Sequence, residues 1–143
     1  MQTWWNNSPY FDAALYANGA ASQCGGPDPN LTPAWVAQVL GQGWGLIPIW
    51  DGPQAPCACR YGMGTYPNCT DGGYPNTFAT DPATAANDGT TQAALAASSV
   101  TSLGLPAGVI YYDMENYNSA YEYSSNSPPN TCGQAVIAFL GGW

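Results

Sequence analysis

Apolar residues in this chain come in short blocks of two kinds, and the blocks alternate. Phe11-Asp12-Ala13-Ala14-Leu15-Tyr16 reads as a short strand ended by Asn18-Gly19. Thr32-Pro33 then opens a helix, with Thr32 as N-cap and Pro33 at the first helical position. Trp35, Val36, Val39 and Leu40 form its apolar stripe, and Gly41 and Gly43 stop it. Leu46-Ile47-Pro48-Ile49-Trp50 is a second strand, whose near-continuous apolarity suits a sheet covered on both faces. Pro48 lacks an N–H, so a bulge or a missing ladder bond is expected there. Asp81-Pro82 repeats the N-cap and proline pair, and an alanine-rich helix runs to Leu103 with Gly104 as its stop. Pro106-Ala107-Gly108 turns the chain into a third strand, Val109 to Tyr112. A Ser/Asn/Pro loop from Asn118 to Thr131 leads to a last amphipathic helix, Cys132 to Leu140.

With a helical remnant at the start, the order is α, β, α, β, α, β, α. Strands alternating with helices predict parallel βαβ units with right-handed crossovers, and therefore an α/β fold. At 143 residues the chain fits a single domain, 1–143, with a real core.

One stretch breaks the alternation. Asp51 to Ala79 is long, irregular and rich in Gly, Pro, Cys, Tyr and Asn. Loops of this length are functional or cross-linked. Three of the five cysteines, Cys57, Cys59 and Cys69, lie in it, with Cys24 and Cys132 outside. Its apolar content looks too small to order it by burial, so disulfides within it or onto it are expected. Two disulfides and one thiol is the expected arithmetic, and sequence does not choose among the pairings. Asn6-Asn7-Ser8, Asn30-Leu31-Thr32 and Asn68-Cys69-Thr70 fit the glycosylation sequon, and with the cysteines they suggest an oxidising, extracytoplasmic setting. Met1 leads straight into Gln2-Thr3-Trp4-Trp5, with no basic or apolar signal region. A secreted or cell-surface protein whose true N-terminus lies upstream is the expectation.

Charge removes several function classes. Only 7% of residues are charged, Arg60 is the single basic residue, His is absent and the net charge is -8. A nucleic-acid partner needs Lys and Arg to neutralise phosphates, so none is expected. Anionic membrane surfaces are disfavoured for the same reason, and no apolar run approaches the ~18 residues that span a bilayer. Without His, neither a serine triad of the usual kind nor a His-type zinc site can form. No metal and no cofactor is expected. Six Trp and ten Tyr, on a low-charge Asn/Ser/Thr/Gly background, fit a surface that stacks on sugar rings, although at least half of these rings should be core.

The third strand carries the candidate chemistry. Val109 to Tyr112 runs into Asp113-Met114-Glu115-Asn116-Tyr117. Side chains two apart on a strand point the same way, so Asp113 and Glu115 should project together from its C-terminal end. In parallel α/β sheets and barrels that end holds the active site. Paired carboxylates in an aromatic cleft suit glycosidic cleavage. Two acids that simply face solvent at a strand end are an equally good reading of so short a motif.

The chain resembles a glycoside-hydrolase-like domain family of unknown function, common in secreted actinobacterial proteins and distantly similar to family 25 lysozymes. The resemblance rests on Met1 to Tyr10, Pro29 to Val36, Gly43 to Trp50, Gly52-Pro53-Gln54-Ala55-Pro56-Cys57, Leu103 to Pro106, Ile110 to Tyr117 and Ala135 to Leu140, in that order. It implies a partial (β/α) TIM-type barrel of about three β/α units, lacking a first strand with a Gly-Phe-Asp motif and the later part of the barrel. It places Asp113 as an orienting carboxylate and Glu115 as general acid. Tyr16-Ala17-Asn18-Gly19 stands for a more usual Tyr-Ile-Gly-Gly, Asp51 replaces an apolar residue, and the Arg60 to Ala79 loop looks expanded.

Two readings of function follow. In the first the domain cleaves peptidoglycan or another aminosugar polysaccharide. Asp113 and Glu115 are catalytic, and Glu115 is the more buried acid with a raised pKa. Tyr16, Trp50, Tyr111 and Tyr117 wall the cleft, and Asp51 and Gln54 add polar contacts to the substrate. A solvent-facing turn acid is the competing reading of Asp51. In the second the domain binds glycan at the cell wall without cleaving it. The 143-residue chain by itself is expected to be inactive, and its oligomeric state stays open.

Overall fold

The structure, a computed structural model, describes residues 1–21, 28–60, 64–70 and 73–143. Cys24 lies outside the described residues. The chain divides into two compact units, each assembled from separate stretches. The first is Met1–Asp51 with Ala96–Asp113, and the second is Gly52–Leu95 with Met114–Trp143.

The first unit is built on three parallel strands, β1 (Asp12–Asn18), β2 (Gly45–Trp50) and β5 (Tyr111–Tyr112), ordered β1-β2-β5. These are the three strands read from the sequence, in the pairing expected. A closed barrel is not present among the described residues. Helix α2 (Pro33–Gly41) starts as its sequence dictates, with the Thr32 side chain accepting from the Trp35 N–H and proline in the first turn. One face of the sheet is covered. Ala17, Val36, Val100 and Leu105 form a buried cluster, against which Leu15, Trp35, Leu40, Leu46 and Ile110 pack. The other face is open, with Tyr16, Ile47, Val109 and Tyr111 all exposed. The prediction of a sheet covered on both faces therefore fails. The apolar residues of β2 are there, but Ile47 keeps 38% of its surface exposed. Helix α1 (Gln2–Asn7) sets Trp5 edge-on against Phe11 and Trp44.

Of the bulge or missing ladder bond expected at Pro48, the bulge does not form. Pro48 sits on the central strand opposite Leu15, and the β2–β5 ladder begins one residue later, at Ile49. The register shift lies instead on β1, between Tyr16 and Asn18. Ala17 is thus the extra residue of a bulge, and its carbonyl has no partner in the ladder. The Ser99 hydroxyl donates to that carbonyl at 3.0 Å. Such a bond spares the cost of a buried, unpaired acceptor, about 1–3 kcal/mol.

The second unit has little regular structure. It contains two short hairpins, β3 (Gly64–Thr65) with β4 (Asn68–Cys69) and β6 (Glu122–Tyr123) with β7 (Asn130–Thr131). Helix α4 (Cys132–Gly142) opens with a full capping box, in which Thr131 and Gln134 exchange side-chain to backbone bonds. Helix α3 (Pro82–Ser102) lies in this unit through Leu95 and in the first unit beyond it. Phe78 stacks on Phe139 at 4.3 Å. Gly89 of α3 and Gly142 of α4 allow the two helix backbones to touch, because a Cβ on either would run into the main chain of the opposite helix.

The stretch expected to be a loose loop begins as core. Gly52 to Ala55 and Cys57 to Cys59 are buried. The sequence reading underrated them because Ala, Pro and Cys carry little apolar surface each, although their small size lets the backbone pack closely. Cross-links complete the order, as expected. Cys59–Cys69 closes the β3–β4 hairpin and Cys57–Cys132 ties the buried stretch to the start of α4.

Two consequences are measurable. The Cys57–Cys132 bridge spans 75 residues, so replacing both with Ala should lower stability by about 4 kcal/mol on chain-entropy grounds. Denaturant unfolding under non-reducing conditions checks this. Asp81 caps α3 by accepting from the Thr84 N–H and hydroxyl, both at 2.9 Å, and these bonds hold its carboxyl below its usual 3.8. Its contribution is fully present above pH 3.8 and is lost as pH falls through the lowered value. The Tm gap between the wild type and Asp81→Ala should therefore be widest at neutral pH and close in acid.

Candidate functional site

The open face of the first unit gathers three of the expected site residues. Tyr16, Ile49 and Tyr111 stand in one row across the three strands. Paired residues of parallel strands share a face, so both tyrosines lie on the open side, roughly 10 Å apart by strand spacing. Tyr16 is 53% and Tyr111 57% exposed. The Tyr16 hydroxyl donates to Asp113 Oδ2 at 2.9 Å, which places the half-buried Asp113 carboxylate on the same face. The Asp113 N–H, bonded to the Trp50 carbonyl at 2.9 Å, carries the ladder one residue past β5.

Trp50 does not join them. It precedes Asp51 on the covered side of the sheet, paired with Tyr112 and Asn18, and is only 4% exposed. A buried ring offers no face to a sugar, so the expectation that Trp50 walls the cleft is corrected. Its parity on β2 matches Leu46 and Pro48, which made it a core residue. Asp51 follows the strand end, its N–H bonded to the Asn18 carbonyl and its own carbonyl accepting from Ala21. Burial and the Asp51 charge both push the Tyr112 hydroxyl far above its ordinary ionisation, burial contributing more. That hydroxyl stays protonated at any physiological pH.

Glu115 falls in the second unit, and here two expectations change. The shared direction of Asp113 and Glu115 requires an extended strand through both, whereas β5 ends at Tyr112. Glu115 is also the exposed carboxylate and Asp113 the half-buried one, the reverse of the expected order. The aromatic flank that was to desolvate Glu115 is engaged elsewhere. Tyr117 bridges to Ala58, and Tyr111 belongs to the sheet.

Gln54 is the residue whose role the sequence misplaced. It is completely buried, so it does not contact a ligand as expected. Its Oε1 accepts from the Glu115 N–H at 2.8 Å and its Nε2 donates to the Gly52 carbonyl at 3.2 Å. Its backbone is fixed as well, by bonds to the Asn76 carbonyl and the Phe78 N–H. Gln54 therefore sets the main-chain position of Glu115 from inside the fold. In Gly52-Pro53-Gln54-Ala55-Pro56 a long polar side chain stands among small residues, a setting that reads alike whether the side chain faces ligand or core. Among the described residues no group of three or more acids and cysteines is placed to hold a metal ion. No helix among them is long and apolar enough to cross a membrane.

Gln54→Leu should leave the Glu115 N–H and the Gly52 carbonyl without partners, at a cost of about 1–3 kcal/mol. Hydrogen exchange checks the assignment, since exchange at the Glu115 amide should accelerate more than at amides of α4.

Neither a curated protein nor a solved structure matches the chain. A family model does match, over residues 2–143. The chain therefore belongs to the Rv2525c-like, glycoside hydrolase-like domain family.

Proposed function

We propose that this domain recognises polysaccharide, with cell-wall aminosugar polymers such as peptidoglycan as the ligand class, and that it does so outside the cell. The observation that carries the reading is the row of Tyr16 and Tyr111 on an open sheet face, with the Tyr16 hydroxyl holding Asp113. Exposed aromatic rings offer flat apolar area to the C–H faces of sugars. A fixed carboxylate accepts hydrogen bonds from sugar hydroxyls. The two disulfides are consistent with an oxidising compartment. The charge balance argues against nucleic acid and against anionic membrane.

The architecture we propose is part of a (β/α) TIM-type barrel. Its support is the parallel β1-β2-β5 order with packing confined to one face, since barrel strands carry helices outside and are covered inside by the rest of the sheet.

Cleavage by an Asp113/Glu115 pair is the second reading. It is favoured by the buried Gln54, which fixes the Glu115 backbone more firmly than a solvent-facing loop acid requires. Against it stands the exposure of Glu115. A general acid working near neutral pH needs a raised pKa, and burial is the usual source.

One set of measurements separates the two. Binding to chitin oligomers and to purified peptidoglycan is titrated for the wild type, Tyr16→Ala, Tyr111→Ala and Glu115→Gln, and reducing ends are assayed in parallel. Recognition predicts that each tyrosine variant binds about tenfold more weakly, the loss of one stacked ring. Glu115→Gln should bind within a few-fold of the wild type. No binding of the wild type to either polymer would sink the proposal. Release of reducing ends that Glu115→Gln abolishes would promote the second reading over the first.

A further inference from the structure

A second candidate site lies wholly inside the second unit. A pocket of about 250 Å³ is lined by Cys57, Cys59, Gly64, Thr65, Tyr66, Asn116, Tyr117, Asn118 and Ser119. Of these only Tyr117 figured among the expected contacts. We infer that this pocket is a binding subsite for one neutral pyranose ring. The inference rests on the polysaccharide reading above but uses different residues.

The argument starts from what the lining lacks. Among the described residues that line it there is no Asp, Glu, Lys or Arg, in a protein of net charge -8. These described walls offer no charge to compensate a phosphate or carboxylate and no carboxylate to pair with an ammonium group. A purely apolar ligand is disfavoured as well, because the walls carry two carboxamides, two aliphatic hydroxyls and two phenols. Carboxamides and hydroxyls both donate and accept, which matches the hydroxyls of a neutral sugar. Tyr66 and Tyr117 supply the aromatic surface that a sugar also needs.

The walls are held in place before any ligand arrives. Cys59–Cys69 closes the hairpin that carries Thr65 and Tyr66. The Tyr66 ring meets Tyr121 edge-on at 4.7 Å, and Tyr121 in turn meets Tyr123 at 5.2 Å. The Asn118 side chain donates to the Tyr66 carbonyl at 3.1 Å, and its N–H to the Cys57 carbonyl at 3.2 Å. Tyr117 bridges to Ala58 beside the buried Cys57 and Cys59. A pocket braced by a disulfide, edge-on ring contacts and hydrogen bonds to the backbone loses little entropy on binding. Asn116, by contrast, is exposed. It is the residue whose replacement tests the site without threatening the fold.

Titration of the whole chain with glucose and with N-acetylglucosamine, followed by backbone amide shifts, tests the inference. The expected result is that either sugar, at millimolar concentration, shifts Thr65, Tyr66, Asn116 and Ser119. Asn116→Ala should weaken that binding roughly tenfold, the loss of well-formed hydrogen bonds. Tyr66→Phe should keep most of it and confirm that the hairpin remains folded, whereas Asp113→Asn should leave it within twofold. If the sugars shift only Tyr16, Tyr111 and Asp113, the pocket is not a sugar subsite while the polysaccharide reading survives. If polymers bind and neither sugar shifts any pocket amide, the inference is likewise overturned. Equal binding by wild type and Asn116→Ala would also overturn it.

Discussion

The register of the central strand governs everything on the open face. Ile49 stands between Tyr16 and Tyr111, and that row exists because β2 pairs in parallel with both neighbours. A slip of one residue on either side would turn a tyrosine into the packed face and an alanine or isoleucine outward. The bulge at Ala17 follows from the same constraint. It feeds a small side chain into the cluster with Val36 and Val100 while Tyr16 stays outside, and Ser99 takes up the carbonyl the bulge leaves over. The bond from Tyr16 to Asp113 is the chemical product of this arrangement.

The second unit solves a different problem. It has two-residue strands and many glycines, prolines and asparagines, so little of its order comes from ladders. Three devices replace them. The disulfides shorten the unfolded chain's freedom, the close crossing at Gly89 and Gly142 brings Phe78 and Phe139 into a stack, and buried amides satisfy backbone groups that no strand partner reaches. Gln54 does this for the Glu115 N–H and Asn130 for the Thr80 carbonyl. In such a unit a buried amide acts as structural wiring, and the same wiring determines where an acidic loop residue sits.

These two ways of building also bear on function. The exposed tyrosines and the held Asp113 support the proposed recognition of a sugar surface, whereas Glu115 stands exposed beyond the sheet. Membership of a glycoside-hydrolase-like family does not by itself decide between them, because one scaffold hosts both binding and cleavage.

The local signals in the sequence were enough for the three strands, the helix starts at Thr32 and Asp81, and the parallel order. Each rests on interactions within a few residues or on the alternation of strand and helix. The family was legible too, because its motifs are ordered along the chain. Disulfides onto the 51–79 stretch followed from where the cysteines fall, but their pairing did not, since it depends on which segments fold against each other. The roles of Trp50, Gln54 and Glu115 were also out of reach. An aromatic at a strand end, a glutamine in a Gly-Pro stretch and an acid two residues past another acid read alike whether they face ligand or core. Only the tertiary structure decided that Trp50 takes the packed face, that Gln54 is enclosed and bonded to Glu115, and that β5 stops at Tyr112. Burial is a property of what packs against a residue, and that partner lies far away in the chain.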